Sequence, residues 1–189
     1  MIPGTSHRNI LDSLLHKHSS CSSYESAGKY SERNYSADFK IHFRRNIEFS
    51  LSWCETGKTN ESTAYKQKIR VNSSGTQYRT GKENSFLPVV QEKFNNAENS
   101  LLYLVGNTTY GLLCGRKALA VFDDHINVDE PGSLVRQGDL LLATYKDSEE
   151  EILVTIDLAQ SKVMALKSTS MLITNDAVAR FSDVSFDSL

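Results

Sequence analysis

The feature that most constrains this chain is the texture of its second half. From residue 101 to residue 173, short apolar or β-branched runs alternate with turn residues. The runs are Leu101–Val105, Tyr110–Cys114, Ala118–Phe122, Asp139–Tyr145, Ile152–Asp157, Lys162–Lys167 and Met171–Ile173, separated by stretches such as Gly-Asn-Thr-Thr, Gly-Arg-Lys and Asp-Glu-Pro-Gly. Parallel strands need crossovers of a dozen or more residues, and there is no room for them here. Seven strands joined by turns therefore predict a mainly β fold, an antiparallel barrel or sandwich, with a barrel or half-barrel expected over residues 86–189. Leu102, Leu104, Leu112, Leu119, Val121, Leu141, Ile152, Val154, Ile156, Met164, Leu166 and Ile173 are expected to supply much of its core. Ahead of these runs, Pro88 at a first helical position followed by Val89, Val90 and Phe94 predicts a short helix over Phe86–Asn95.

The first half reads differently. Sixteen of the 24 serines lie in the first 100 residues, and polar residues prevail from Ser19 to Gly81. That composition predicts a largely irregular segment over 1–85 followed by a β-barrel domain over 86–189. Within the segment, Ile10-Leu11 and Leu14-Leu15 behind Ser6 predict one or two amphipathic helical turns over residues 7–18. The alternation of Phe39, Ile41 and Phe43, continued by Ile47, Phe49 and Leu51, predicts a strand pair or one long strand. The total charge of −2 hides a dipolar chain: 13 basic against 8 acidic residues before Ser85, and 8 against 15 after it.

Composition excludes collagen, low-complexity polymers and membrane spans, because the longest apolar runs are far shorter than a bilayer requires. With no secretory apolar stretch near the start, the expectation is a cytoplasmic protein with reduced thiols. Cys21, Cys54 and Cys114 are odd in number and widely spaced, so neither a disulfide framework nor a paired zinc signature is expected. No cofactor is expected. Thr56-Gly57-Lys58-Thr59 lacks the glycine that a phosphate loop needs at position 52. His16, His18 and Cys21 are three ligand types without a second pair, and they read as part of a solvated tail.

The richest stretch runs from Gly111 to His125, where a strand, a Gly-Arg-Lys turn and the apolar Leu119-Ala120-Val121 lead to a histidine at a strand exit. Together with the short helix before it and with Arg180-Phe181-Ser182-Asp183-Val184 followed by Phe186, this stretch resembles the picornavirus-type main cysteine protease over roughly residues 86–189. The resemblance implies the first barrel of a chymotrypsin-like fold, with His125 as general base and Asp176, or alternatively Asp157, as the acid that orients it. Alignment on Arg180-Phe181 instead places Thr169 where the enteroviral acid falls. It also implies an RNA contact through Arg180, Phe181 and Asp183, although Ser182 replaces a basic residue. The family's nucleophile sits in a Gly-x-Cys-Gly-Gly loop after the histidine, and no cysteine follows Cys114. The resemblance thus implies a protease region lacking its nucleophile barrel, inactive as this chain, with viral polyprotein segments or that missing barrel as partners.

Upstream, Gly28-Lys29-Tyr30-Ser31 is similar to the start of the genome-linked proteins encoded before such proteases, which implies nucleotide attachment at an exposed Tyr30 in a flexible cationic chain. The competing expectation is a non-enzymatic β-barrel module with a basic disordered arm, binding RNA or a protein.

Overall fold

The computed structural model describes residues 6–45, 48–57, 67–72, 75–80, 87–88, 96–113, 121–122, 126–127, 130–170 and 176–188. Helix α1 (His7–Ser20) starts where the sequence places it, with the Ser6 side chain accepting a hydrogen bond from the Asn9 amide at 3.2 Å. Thirteen strands follow among the described residues: β1 (Cys21–Glu32), β2 (Tyr35–Arg44), β3 (Glu48–Glu55), β4 (Gln67–Asn72), β5 (Gly75–Thr80), β6 (Leu87–Pro88), β7 (Val121–Phe122), β8 (Ile126–Asn127), β9 (Ser133–Gln137), β10 (Leu140–Lys146), β11 (Glu150–Asp157), β12 (Lys162–Ser170) and β13 (Asp176–Ser188). Helices α2 (Asn96–Leu101) and α3 (Thr108–Leu113) are joined through a π-helical stretch, Leu102–Asn107.

Eight strands form one antiparallel sheet in the order β3-β2-β1-β13-β12-β11-β10-β9. Two corrections to the sequence reading follow. The first concerns the polar first half, expected to be largely irregular. Residues 21–55 instead supply three strands, and β1 pairs with β13 over most of its length, so the sheet runs through the division expected at residue 85. The reason is periodicity hidden beneath composition: Tyr24, Ser26, Gly28 and Tyr30 point inward while Glu25 and Lys29 point out, and one apolar face suffices for a strand covered on one side.

The second concerns Leu101–Val105 and Tyr110–Cys114, expected as strands. They lie in the α2–π–α3 helix, apart from Cys114, which is outside the described residues. Leu101, Leu102, Leu104, Val105, Leu112 and Leu113 are all buried, and the expected Gly106-Asn107-Thr108-Thr109 turn is helical. A short apolar run buried on every side carries no period that separates helix from strand. The expected helix over Phe86–Asn95 falls mostly outside the described residues, and Leu87–Pro88 within it is strand β6.

The inward face of the sheet is covered by helices. Leu11 and Leu14 of α1 join one cluster with Phe39, Ile41, Leu51, Leu141, Val154, Ile156, Leu166 and Ala179, and His18 is buried on the same helix. Of the expected core residues whose side chains are described, Leu102, Leu104, Leu112, Leu141, Ile152, Val154, Ile156 and Leu166 are buried and Met164 is not, while Leu119 and Ile173 lie outside the described residues. Lys17 reaches the Gln160 and Ser161 carbonyls and Arg8 pairs with Glu130, fixing α1 at both ends against the β9–β12 half of the sheet. Arg45 donates to the Cys21 carbonyl at 2.7 Å and the Leu113 carbonyl at 3.2 Å, so one cation serves the ends of both α1 and α3, where the helix dipole favours positive charge.

Candidate binding face

The outward face of the sheet is polar, and over β2, β1 and β13 its side chains form an ordered charge pattern. Pairing registers place Arg44 and Asp187 on either side of Ser23, His42 and Ser185 on either side of Glu25, and Lys40 and Asp183 on either side of Ala27. One step further, Asp38 and Arg180 flank Lys29. Arg44, Lys40, Asp38, Asp187, Ser185, Asp183 and Arg180 are all exposed.

A bulge sets this pattern. Register slips by one between Ala27 and Gly28, leaving Ser182 as the extra residue, with its hydroxyl donating to the Ala27 carbonyl at 3.2 Å. Because strand side chains alternate, the slip switches the facing of β13: Ala179 and Phe181 point inward on one side of it, while Asp183, Ser185 and Asp187 point outward on the other. Gly28 makes this possible, since a Cβ there would lie 2.2 Å from the Arg180 carbonyl oxygen and 2.5 Å from the Phe39 ring.

A shallow groove of about 480 Å³ crosses the face. It is lined by Glu25, Ser26, Ala27, Lys40, Ile41, His42, Asp183, Val184 and Ser185. His42 donates from Nδ1 to Glu25 Oε1 at 2.9 Å, while its Nε2 accepts from Arg44 Nε at 3.3 Å.

The residues singled out from sequence are dispersed. His125 lies outside the described residues. Asp157 Oδ1 accepts the Gln160 amide at 2.9 Å and holds the β11–β12 turn. Asp176, at the opposite end of the sheet, is exposed and bound by Lys167 Nζ at 2.9 Å and Thr169 Oγ1 at 3.1 Å. Those two hydrogen bonds, Lys167 first, hold its carboxyl below the usual range.

Within the expected RNA motif, alternation separates the members. Arg180 and Asp183 face solvent, whereas Phe181 is buried edge-on against Phe39 with ring centroids 5.3 Å apart. Tyr30 is corrected too: in place of an exposed phenol on a flexible chain, it is a core residue, 1% exposed, donating to Glu32 Oε2 at 2.9 Å. Burial and then the Glu32 carboxylate push its pKa up.

His18 and Cys21, expected in a solvated tail, end α1 and begin β1. His18 Nδ1 donates to the Leu14 carbonyl at 2.8 Å, its ring meets Phe186 edge-on at 4.6 Å, and burial lowers its pKa to about 4. Among the described residues no group of three His, Cys, Asp or Glu side chains could hold a metal ion, and no helix is long and apolar enough to cross a membrane.

The charged rows were missed because each strand contributes only part of them. Lys40-x-His42-x-Arg44 and Asp183-x-Ser185-x-Asp187 are visible as alternating polar residues, but they lie about 140 residues apart, and only the pairing of β1 with both β2 and β13 brings them to one surface.

Fold and site together define an open antiparallel sheet, backed by helices on one face and bearing an ordered charge pattern on the other. In comparisons with known proteins, the chain matches no protein family and no curated sequence.

Proposed function

We propose that this chain is a non-enzymatic protein-binding module whose docking surface is the outward face of β2, β1 and β13. The observation that carries this reading is the placement of opposite charges across β1 in three rows: Arg44 with Asp187, Lys40 with Asp183, and Asp38 with Arg180. A surface ruled in both signs recognises another mixed-charge protein surface through electrostatic complementarity. It suits nucleic acid poorly, because Asp38, Asp183 and Asp187 would stand against the phosphates that Lys40, Arg44 and Arg180 attract. The protease reading rests on the resemblance alone, and both candidate acids have hydrogen-bond partners that account for them in the fold.

The test is an amide chemical-shift titration of the chain with three probes: a peptide of alternating Glu-Ala-Lys-Ala units, an oligouridine, and a peptide containing a Gln-Gly junction. The expected result is salt-sensitive perturbation of residues 23–29, 38–44 and 180–187 by the mixed-charge peptide only, with no cleavage of the third probe. Perturbation of the same amides by oligouridine in place of the peptide, or turnover of the Gln-Gly peptide, overturns the reading.

A further inference from the structure

The charge rows have a symmetry that selects one partner. In each of the three rows the charge on β2 is opposite to the charge on β13: Arg44 to Asp187, Lys40 to Asp183, Asp38 to Arg180. The sign changes sides along the strands, since Asp38 makes β2 acidic in the row where Arg180 makes β13 basic. Consider a two-fold axis running along β1, between two copies of the chain packed face to face. This rotation exchanges the β2 side with the β13 side while keeping each row at its own height. Every cation on one copy then lies over the anion of the same row on the other: Arg44 over Asp187, Lys40 over Asp183, Arg180 over Asp38. A two-fold axis across the strands gives no such match, because each β2 charge then meets β2 again.

We infer that the docking partner is a second copy of this chain, paired through the outward face of β2, β1 and β13 about a two-fold axis parallel to β1. This rests on the docking reading above and specifies its partner. The arrangement is isologous, so each complementary contact occurs twice, and three rows supply a network in place of one isolated surface pair. Like charges meet only on the axis, at Glu25 and Lys29. Glu25 is held there by His42 of its own chain, and Ala27 between the two leaves the axis uncrowded. The association is therefore electrostatic, reversible and weakened by salt.

Sedimentation velocity over a range of chain concentrations, at about 0.05 M and about 0.5 M salt, tests it. The wild type is expected to dimerise at the lower salt and to weaken at the higher. Lys40→Glu alone and Asp183→Lys alone each place like charges in two contacts, and each should weaken the dimer at least about tenfold. An equimolar mixture of these two variants should recover it as a heterodimer, because each reversed charge then meets the other chain's reversed charge. The double variant Lys40→Glu/Asp183→Lys should recover a homodimer. Both sites are exposed, and circular dichroism of each variant checks that it is folded.

A wild type that stays monomeric at every concentration overturns the inference, as does a dimer indifferent to both single reversals or singles that the mixture fails to rescue. If the wild type is monomeric while the mixed-charge peptide still perturbs residues 38–44 and 180–187, self-pairing fails and the docking reading stands. If neither occurs, both fail.

Discussion

Strands β10 and β11 and strands β1 and β2 belong to one sheet and bury one continuous core, yet they are written in different alphabets. In β10 and β11 the inward residues are Leu141, Ala143, Tyr145, Ile152, Val154 and Ile156, and the outward ones include Leu142, Thr144, Leu153 and Thr155. In β1 and β2 the inward residues include Tyr24, Ser26, Tyr30, Phe39 and Ile41, while the outward ones are Glu25, Lys29, Asp38, Lys40 and His42. Both regions satisfy the inner face. They differ outside, where the middle of β10 and β11 carries aliphatic residues and threonine, with Lys146, Glu151 and Asp157 only at the strand ends, and β1 and β2 carry charge along their length. The lesson is that hydrophobic runs locate the scaffold, whereas the strands that dilute their apolar residues with charge form the face we propose for docking.

The largest expected effect asks whether the two regions form one cooperative core. Phe39→Ala, at a site 1% exposed and packed on Phe181, should cost about 3–5 kcal/mol, and Leu141→Ala, at a site 0% exposed, about 2–5 kcal/mol. Urea unfolding followed by tryptophan fluorescence should show both shifting the same single transition. Two separable transitions, each sensitive to one variant, would break the picture of a shared core.

The next effect is acid sensitivity at the seam between α1 and the sheet. His18 is buried neutral, with its pKa lowered by burial from 6.5 to about 4. Its unfolded form binds a proton first, so stability declines as pH falls below about 6.5, and the loss is complete below about pH 4 at about 3 kcal/mol. Asp176, whose carboxyl is held low by Lys167 and Thr169, also loses its contribution as pH falls. Denaturation midpoints measured between pH 7 and pH 4 should flatten in His18→Phe relative to wild type, and an unchanged slope would remove His18 from the account.

A smaller change sharpens the role of the bulge. Gly28→Ala pushes a methyl group against the Arg180 carbonyl and the Phe39 ring, so it should destabilise by about 1–3 kcal/mol and alter amide shifts along β13. A variant of wild-type stability with unshifted β13 amides would mean that the close approach does not control register there.

The smallest effect belongs to the outward face itself. Lys40→Ala should leave stability within about 0.5 kcal/mol of wild type while weakening association. Destabilisation well beyond that would make Lys40 part of the scaffold rather than of the docking surface.

Legibility followed physical locality. Helix α1 was readable because its cap, Ser6, and its apolar spacing, Leu11 and Leu14, lie within a few turns of one another. β10, β11 and β12 were readable because β-branched runs and turns signal strands locally. The 101–113 stretch was misread because an apolar segment buried on all sides has no period to betray it, and the tertiary environment made it helical. β1 was missed because tyrosine, serine and glycine in alternation look polar on average.

The charge face was the least legible, for a reason that holds for any sheet assembled from distant strands. Sequence by itself determined which residues of β2 and β13 could share a face, through the two-residue period of each strand. It could not say that β13 would pair with β1, nor that a bulge at Ser182 would turn Asp183 and Asp187 outward after Phe181 had turned inward. Those choices depend on burying Phe181 against Phe39 and on the close backbone approach that Gly28 permits. Both are contacts across more than 140 residues of chain, whose stability exists only once the sheet has closed around its helices.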